Sequence, residues 1–398
     1  MPGRNNVISD ASIKRVVLVG AGHAHLHVAQ NAREFVRRGV DLVLVDPGKF
    51  WYSGLATGML GGIYEPALDQ VDAQRLIERA GGRFIADTAA GLDREKRALH
   101  LASGATLPYA LVSINVGSEV ALPHLSGEDH AALRGTWGSG PRIWTVKPIA
   151  NLWRLRQQLE QRFQPAAAAP LPGPPRVVVA GGGPTGCEIA LNIDALARKC
   201  GARIRLSLIS RSPQLISRQP RGAAKALAAC LQRRGIELIA GSALQGIETD
   251  RLLAGGQSYP FDLLVLATGL KPARVIADMN LAEAGEGSGM QVGRNLRWTS
   301  DPAIFGAGDC IDFDGRELPK LGVFGVRQAP LLLHNLLAAL DSQPLKDYQP
   351  QKNYLAILNL GCGDGLATWG PFYWRGRASL WWKDRIDRRF LASYQQRE

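Results

Sequence analysis

VVLVGAGHAHLHVAQ, residues 16–30, joins an apolar run, a glycine-rich turn and three alternate histidines. The β-branched residues before Gly20 are typical of a buried strand, and the apolar positions after His23 repeat at helical spacing. Alternate residues share a face only in a strand, so these histidines point in different directions on a helix. His23 and His27 are four apart, but no Cys, Asp or Glu lies beside them, and we therefore expect no metal site.

The glycine turn has the spacing of a dinucleotide-binding βαβ unit. Gly20-x-Gly22-x-x-His25 opens the helix, and the next apolar strand ends at Asp46. In such units the first glycine permits a tight turn, the second lets the helix N-terminus approach a pyrophosphate, and the acid meets the ribose hydroxyls. His25 replaces the usual third glycine or alanine, so we expect it either to widen the helix–strand packing or to turn outward.

A second fingerprint follows in RVVVAGGGPTGCEIALNI, residues 176–193, where Gly181-x-Gly183-x-x-Gly186 has all three glycines. Two such units in one chain predict two bound nucleotides. The next strand ends at Ser210, where NAD-selective domains place an acid. Arg211 follows it, with Arg218 nearby, and this pattern favours the 2′-phosphate of NADPH over NADH.

Composition is typical of a soluble enzyme with two or three domains. The 398 residues are 46% apolar and include 45 glycines, which suits large α/β cores. We see no signal peptide at the N-terminus and no uninterrupted apolar run of about 18 residues. The net charge of +12 favours an anionic partner, such as the cofactors or anionic lipid, whereas no zinc-finger or leucine-zipper pattern supports nucleic acid. The five cysteines show no CxxC spacing and resemble reduced intracellular thiols: Cys187, Cys200, Cys230, Cys310 and Cys362.

Proline and alanine mark a linker at QPAAAAPLPGPP, residues 164–175, directly before the second fingerprint. We predict an α/β fold with two Rossmann-like domains, the second inserted in the first, and a C-terminal segment with an amphipathic helix. The predicted ranges are 13–144 and 291–340 for the first domain, 145–290 for the second, and 341–398 for the C-terminal segment.

Two further motifs complete a pattern, namely LATG at 266–269 and FGAGD at 305–309. Together with both fingerprints, they resemble the two-dinucleotide-domain flavoproteins of the pyridine nucleotide-disulfide oxidoreductase superfamily. The resemblance implies FAD on the first domain and NADPH or NADH on the second. It assigns the FAD site to Gly20, Gly22, His23, His25, Asp46, Ser53, Gly117, Gly308 and Asp309. It assigns the NAD(P)H site to Gly181, Gly183, Pro184, Thr185, Gly186, Arg211 and Gly269.

Some motifs differ between branches of this superfamily, and they indicate which branches the chain resembles. No cysteine precedes Cys187, so the Cys-x4-Cys redox disulfide of the disulfide reductases is missing. FWYSGLATGMLGG, residues 50–62, resembles a loop of type II NADH dehydrogenases and sulfide:quinone reductases. The GHAH turn, residues 319–336 and WWKDRIDRRF at 381–390 resemble a subgroup associated with selenophosphate synthetase (selenide, water dikinase). The resemblance implies catalytic roles for Glu188, Lys320 and Gln328.

We therefore expect an FAD-dependent NAD(P)H dehydrogenase that passes electrons to a quinone or other small acceptor. One alternative is a redox switch with little turnover that binds a protein or nucleic acid. Another is a sulfide:quinone reductase-like enzyme that uses Cys310 or Cys362. In the tail, basic residues flank an apolar stripe with a spacing of four residues, formed by Trp382, Ile386, Phe390 and Tyr394. This stripe suits either a membrane interface or an ordinary packing helix. We expect a cytoplasmic monomer or homodimer, with peripheral attachment to the inner face of the cell membrane if the helix binds lipid.

Overall fold

A computed structural model describes residues 14–121, 141–164, 173–248, 250–283, 285, 287–316 and 318–395. Most of the predicted linker lies outside these residues. The strands are β1 Arg15–Val19, β2 Asp41–Val45, β3 Phe50–Trp51, β4 Gln70–Val71, β5 Arg83–Ile85, β6 Ala89–Asp93, β7 Ala98–Leu101, β8 Thr106–Pro108, β9 Leu111–Ile114, β10 Ser118–Val120, β11 Ile143–Thr145, β12 Arg176–Ala180, β13 Arg205–Ser210, β14 Glu237–Ala240, β15 Leu244–Ile247, β16 Arg251–Ala254, β17 Gln257–Pro260, β18 Leu263–Leu266, β19 Leu270–Pro272, β20 Met290–Val292, β21 Ile304–Gly306, β22 Ile311–Phe313, β23 Leu355–Asn359, β24 Gly365–Trp369 and β25 Phe372–Gly376. The helices are α1 His23–Gln30, α2 Arg33–Val36, α3 Ser53–Leu60, α4 Ala73–Arg79, α5 Ala150–Phe163, α6 Pro184–Lys199, α7 Arg221–Arg233, α8 Val275–Asp278, α9 Gly322–Leu340 and α10 Arg377–Ala392.

The first sheet has five parallel strands in the order β21-β9-β1-β2-β5. Its central strands are continuous apolar runs because helices cover both faces of a parallel sheet. In β1, Val16 to Val19 are all buried. Helix α1 packs against α9 and α4, so the first glycine turn is held between the sheet and the last helix of this domain.

The second sheet is also parallel, in the order β11-β18-β12-β13-β14. In the sequence, its strands come after β9 and before β21, which both belong to the first sheet. The second domain is therefore inserted in the first, as predicted. Strand β11 begins at Ile143, just before the predicted boundary at residue 145. The α/β fold class is therefore confirmed.

Two connections bring the domains together. Strand β10 pairs with β19 in an antiparallel ladder, so the segment after β9 is tied to the end of the second domain. The C-terminal segment forms the antiparallel sheet β23-β24-β25, and α10 packs on this sheet and on α3. We had predicted the amphipathic helix but not the sheet beneath it. The sheet packs on α6 and α7 of the second domain, whereas α10 packs on α3 of the first.

Helix α9 is the one described helix that is long and apolar enough to cross a membrane by length and composition alone, with a mean hydropathy of 1.3. It contains Arg327 and Pro330 and packs against α1. Helices in the core of globular domains are often equally long and apolar, so the length and composition of α9 are weak support for a membrane span.

Candidate active site

The first glycine turn is closed by an asparagine that we did not select from the sequence. Asn115, directly after β9, accepts hydrogen bonds at Oδ1 from the backbone N–H groups of Ala24 at 3.0 Å and His25 at 3.3 Å. Its Nδ2 donates to the carbonyl of Ala307 at 2.6 Å. A Cβ on Gly22 would lie 2.3 Å from Asn115 Oδ1, so only glycine fits. Asn115 therefore caps α1 from a distant part of the chain, and no local pattern in the sequence marks this role.

His25 neither turns outward nor lies free to contact a ligand. It is fully buried, with Nδ1 2.6 Å from the Gly20 carbonyl and Nε2 2.8 Å from Ser113 Oγ. Burial lowers the pKa of His25 to about 4, so the ring is neutral. In the usual motif, a glycine at this position lets the helix pack closely on the strand. Here His25 occupies the position and links the end of β1 to β9 through its two hydrogen bonds.

Asp46 and Asp309, both predicted to bind FAD, follow the carboxyl ends of β2 and β21 in the first sheet. Asp46 accepts hydrogen bonds from the N–H of Ala21 at 2.7 Å and from that of Gly48 at 2.9 Å. Desolvation raises the pKa of Asp46. Asp309 accepts from Lys147 Nζ at 2.9 Å and Ser118 Oγ at 2.7 Å. Burial alone would raise the pKa of Asp309, but the nearby ammonium and hydroxyl lower it, so it is ionised.

Lys147 is the second residue that sequence reasoning missed. It lies just after β11, the first strand of the second domain, yet its ammonium bonds to Asp309 of the first domain. No local motif marks it, because the contact depends on how the inserted domain folds back.

The three predicted catalytic residues occupy different surroundings. Glu188 is on α6, and its Oε1 accepts from the Asn359 N–H at 2.7 Å and Thr57 Oγ1 at 3.3 Å. Lys320 Nζ donates to the Ile311 carbonyl at 3.1 Å. Gln328 is fully buried on α9, and its Oε1 accepts from the Gly308 N–H at 2.7 Å.

His23 packs among aromatic rings. Its ring centre lies 5.0 Å from that of Phe50 and 5.7 Å from those of Tyr52 and Phe390. Desolvation lowers its pKa to about 4. Within the described part of the chain, no group of three or more His, Cys, Asp or Glu residues is arranged to hold a metal ion.

The remaining predicted FAD residues lie at turns. Ser53 is exposed at the first position of α3. Gly117 and Gly308 have positive φ values of 75° and 76°. A Cβ on Gly117 would meet no atom within 4 Å, whereas one on Gly308 would lie 2.6 Å from Asn115 Nδ2.

The two cysteines considered for sulfide chemistry differ in exposure. Cys310 is fully buried, and burial raises the pKa of its thiol to about 11. A thiol of this kind is a poor nucleophile because the reactive thiolate is suppressed. Cys362 is exposed in the turn between β23 and β24.

A cavity of about 790 Å³ opens at the second glycine turn. Gly181, Gly183, Pro184 and Gly269 line one end, and Arg211 and Arg218 lie along its wall. The other end reaches Lys320, Leu321 and Tyr354. The cavity therefore runs from the nucleotide turn of the second domain to the start of the last helix of the first.

The residues at both sites fit dinucleotides. A Cβ on Gly183 would meet nothing within 4 Å, which leaves room for a pyrophosphate at the N-terminus of α6. By contrast, a Cβ on Gly186 would lie 1.9 Å from the Gly181 carbonyl, so this glycine serves close packing. Thr185 is exposed in the first turn of α6. In the first domain, Gln328 Nε2 is buried without a partner among the described residues, and FAD carries several oxygens that can accept from it.

Comparison with known proteins agrees with this arrangement. The family model for pyridine nucleotide-disulphide oxidoreductases matches residues 14–329. The chain belongs to the pyridine nucleotide-disulphide oxidoreductase family. It is thus an NAD(P)H-dependent flavoprotein oxidoreductase, as the resemblance implied.

Individual proteins resemble the chain over most of its length. The nitric oxide reductase FlRd-NAD(+) reductase of Aeromonas hydrophila is 26% identical over 328 residues, which are 79% of this chain and 75% of that protein. The NDH2 structure from Plasmodium falciparum in complex with NADH has a TM-score of 0.78 at 13% identity and covers 97% of this chain and 99% of that one. The sulfide:quinone oxidoreductase of Aquifex aeolicus has a TM-score of 0.76 at 17% identity and covers 96% and 91%. These structural likenesses show the shared fold. The resemblance to the subgroup associated with selenophosphate synthetase stays a prediction.

Proposed function

We propose that this oxidoreductase oxidises NADPH and passes the electrons through bound FAD to a quinone or another small acceptor. The observation that carries the proposal is the cavity that joins the second glycine turn to Lys320 and Tyr354. A dinucleotide whose pyrophosphate lies at Gly183 can extend along this cavity towards the first domain. When bound, FAD accepts a hydride from the nicotinamide and hands its electrons on.

The chain's own residues orient the cofactors. Asp309, ionised and held by Lys147, offers a fixed acceptor for the ribityl hydroxyl groups of FAD. Glu188 is held by the Asn359 N–H, at a position that by resemblance lies near the nicotinamide and flavin rings. Desolvation by burial raises the pKa of Glu188, so its protonated form is favoured relative to that of an exposed glutamate.

Charge along the cavity favours NADPH over NADH. The cavity lining, within the described part of the chain, contains the cations Arg211, Arg218 and Lys320 but no carboxylate. At the end of β13, Ser210 is buried and its hydroxyl donates to the Ser212 carbonyl at 2.8 Å. An acid that would repel a 2′-phosphate is therefore missing where NAD-selective domains place one.

The C-terminal segment supplies a specific reason to propose a membrane-surface location. Trp382 and Ile386 of the predicted stripe are exposed, whereas Phe390 and Tyr394 pack inward towards Tyr52. The tip of the β24–β25 hairpin adds further apolar side chains, which the sequence had not indicated. We define the exposed aromatic surface as Trp369, Phe372, Tyr373, Trp374, Trp381, Trp382 and Ile386, which are 37–68% exposed.

We propose that the exposed aromatic surface docks on an anionic phospholipid bilayer. Tryptophan and tyrosine side chains favour the membrane–water interface, and nearby arginines attract acidic headgroups. Arg385 lies over the Trp381 ring at 6.0 Å, and α10 carries further exposed cations at Arg377, Arg388 and Arg389. Docking there would bring the protein to a phase that dissolves quinones.

The dehydrogenase proposal is tested with purified, FAD-loaded protein. We expect NADPH to bleach the flavin absorbance anaerobically, and menadione to sustain rapid steady-state NADPH oxidation. A long-lived charge-transfer complex with negligible turnover would instead support the redox-switch alternative. Equal rates with NADPH and NADH would contradict the nucleotide preference and leave the dehydrogenase reaction intact.

A further inference from the structure

The cavity at the second glycine turn changes in character from one end to the other. Hydroxyl and guanidinium groups line the part near the turn, namely those of Ser210, Ser212, Ser217, Arg211 and Arg218. At the opposite end, Pro319, Leu321 and Tyr354 form apolar and aromatic walls. NADPH has the same asymmetry, with anionic phosphates on its adenosine part and a flat, uncharged ring at its other terminus. The reduced nicotinamide ring therefore matches the Tyr354 end of the cavity.

The charged group at the Tyr354 end is held by the protein itself. Lys320 Nζ donates to the Ile311 carbonyl at 3.1 Å and lies 3.7 Å from Asp312 Oδ1. Tyr354 is half-buried and carries the one aromatic ring among the described residues that line the cavity. A flat ligand ring that reaches this end thus has Tyr354 as its aromatic stacking surface.

The Tyr354 ring is supported from the first domain. Phe324, buried in the first turn of α9, makes an edge-to-face contact with it, with ring centres 6.0 Å apart and planes at 69°. Such a contact uses at most one face of the Tyr354 ring, so a face remains for stacking. Both rings lie outside the main hydrophobic core of the described residues. One helical turn after Phe324, Gln328 bonds to Gly308 at the predicted FAD site, so α9 connects that site to Tyr354.

We propose that Tyr354 binds the nicotinamide ring of NADPH by stacking on it at this end of the cavity. The proposal rests on the proposed function and adds the residue that recognises the reacting ring, whereas Arg211 serves the adenosine part. Stacking holds a flat ring in one plane, and the positive charge of oxidised NADP⁺ adds a cation–π attraction to the tyrosine. Tyr354 therefore contributes to the affinity for both redox forms of the nucleotide.

The first test measures binding without any reaction. FAD-loaded protein is titrated in a calorimeter with NADP⁺ and with adenosine 2′,5′-bisphosphate, which has the 2′-phosphate but no nicotinamide. We expect Tyr354→Leu to weaken NADP⁺ binding about 3- to 10-fold and to leave the bisphosphate within about twofold. Arg211→Ala should weaken both ligands. Equal weakening of both ligands in Tyr354→Leu, or of neither, overturns the proposal.

Three further variants separate the ring from a general effect on the fold. Tyr354→Phe keeps the ring and should bind NADP⁺ within about twofold of wild type. Tyr259→Leu removes a half-buried tyrosine that packs on the core outside the cavity, and it should change neither affinity. Loss of NADP⁺ affinity of the same size in Tyr259→Leu contradicts a specific role for Tyr354. Tyr354→Gln, whose polar chain suits a half-exposed position, gives the same test if the leucine variant does not fold.

The second test uses a spectroscopic signature of ring stacking. The flavin is reduced with dithionite, and saturating NADP⁺ should then produce a long-wavelength charge-transfer absorbance in wild type and in Tyr354→Phe. We expect a weaker band in Tyr354→Leu, and an unchanged band contradicts the proposal. Neither test depends on turnover: if NADPH does not reduce the wild-type flavin, the proposed function fails, and NADP⁺ binding still decides the role of Tyr354. A wild type that binds neither nucleotide overturns both proposals.

Discussion

Lys147 and Asp309 form an ion pair across the two domains, with 2.9 Å between Lys147 Nζ and Asp309 Oδ2, although 162 residues separate them in the chain. Lys147 also donates to Ser118 Oγ at 2.7 Å, which itself donates to the same Asp309 oxygen. Three segments of chain thus fix one carboxylate at the predicted FAD site. Because Lys147 belongs to the inserted domain, the position of that domain affects where the Asp309 carboxylate lies.

Asp309→Asn should weaken FAD binding. The substitution keeps the shape but removes the charge that Lys147 and a flavin hydroxyl share, so we expect the apparent Kd for FAD to rise about 10-fold. Flavin absorbance per protein after gel filtration measures the loss. Asp314→Asn is the control, because Asp314 is exposed in a turn and asparagine tolerates its positive φ of 46°. Full flavin retention in Asp309→Asn would contradict the assignment.

Arg211→Ala should change nucleotide preference rather than activity in general. Loss of one charge-assisted contact to a 2′-phosphate costs about 1.5–3 kcal/mol, so KM for NADPH should rise about 10- to 100-fold, with little change for NADH. Steady-state kinetics with both nucleotides provide the measurement. Arg233→Ala, at an exposed position on α7, should leave both KM values unchanged. Equal effects of Arg211→Ala on both nucleotides would show that Arg211 faces solvent.

His25 should make folding stability depend on pH in the acid range. Its pKa falls from 6.5 to about 4 on folding, so the unfolded chain binds a proton more readily than the folded one. This contribution is fully present above pH 6.5 and is lost as the pH falls towards 4. We expect the free energy of unfolding, measured by urea titration, to fall less steeply over this range in His25→Gln than in wild type. His100→Gln, at an exposed position, is the control and should keep the wild-type slope. Identical slopes for all three proteins would rule out this effect.

The exposed aromatic surface should bind anionic vesicles. In sedimentation with vesicles of phosphatidylcholine and phosphatidylglycerol, we expect wild type to pellet and Phe372→Asp/Trp381→Asp to lose at least about 10-fold in affinity, because charge is placed where rings enter the interface. Salt should weaken wild-type binding through screening. Val36→Asp alters an exposed apolar residue on α2 and should pellet normally. Undiminished pelleting of the double variant would contradict docking through this surface.

Local patterns in the sequence predicted the two nucleotide units well. The apolar runs of β1 and β12, the glycine turns and the helices that follow them depend on near neighbours, so their periodicity is visible in one segment. The inserted domain also followed from the order of motifs. The outcome for His25 was different, because whether a histidine turns outward or inward depends on Ser113, a partner 88 residues away.

By itself, the sequence determined two dinucleotide folds, because a strand, a tight glycine turn and a helix are specified by residues that lie close together in the chain. Only the tertiary structure decided which partners the site residues have: Asn115 caps α1, Lys147 pairs with Asp309, and the Tyr52 hydroxyl donates to Asp387. Each of these contacts joins distant segments. A buried polar group takes whichever partner the packing brings to it, and no local pattern encodes that choice.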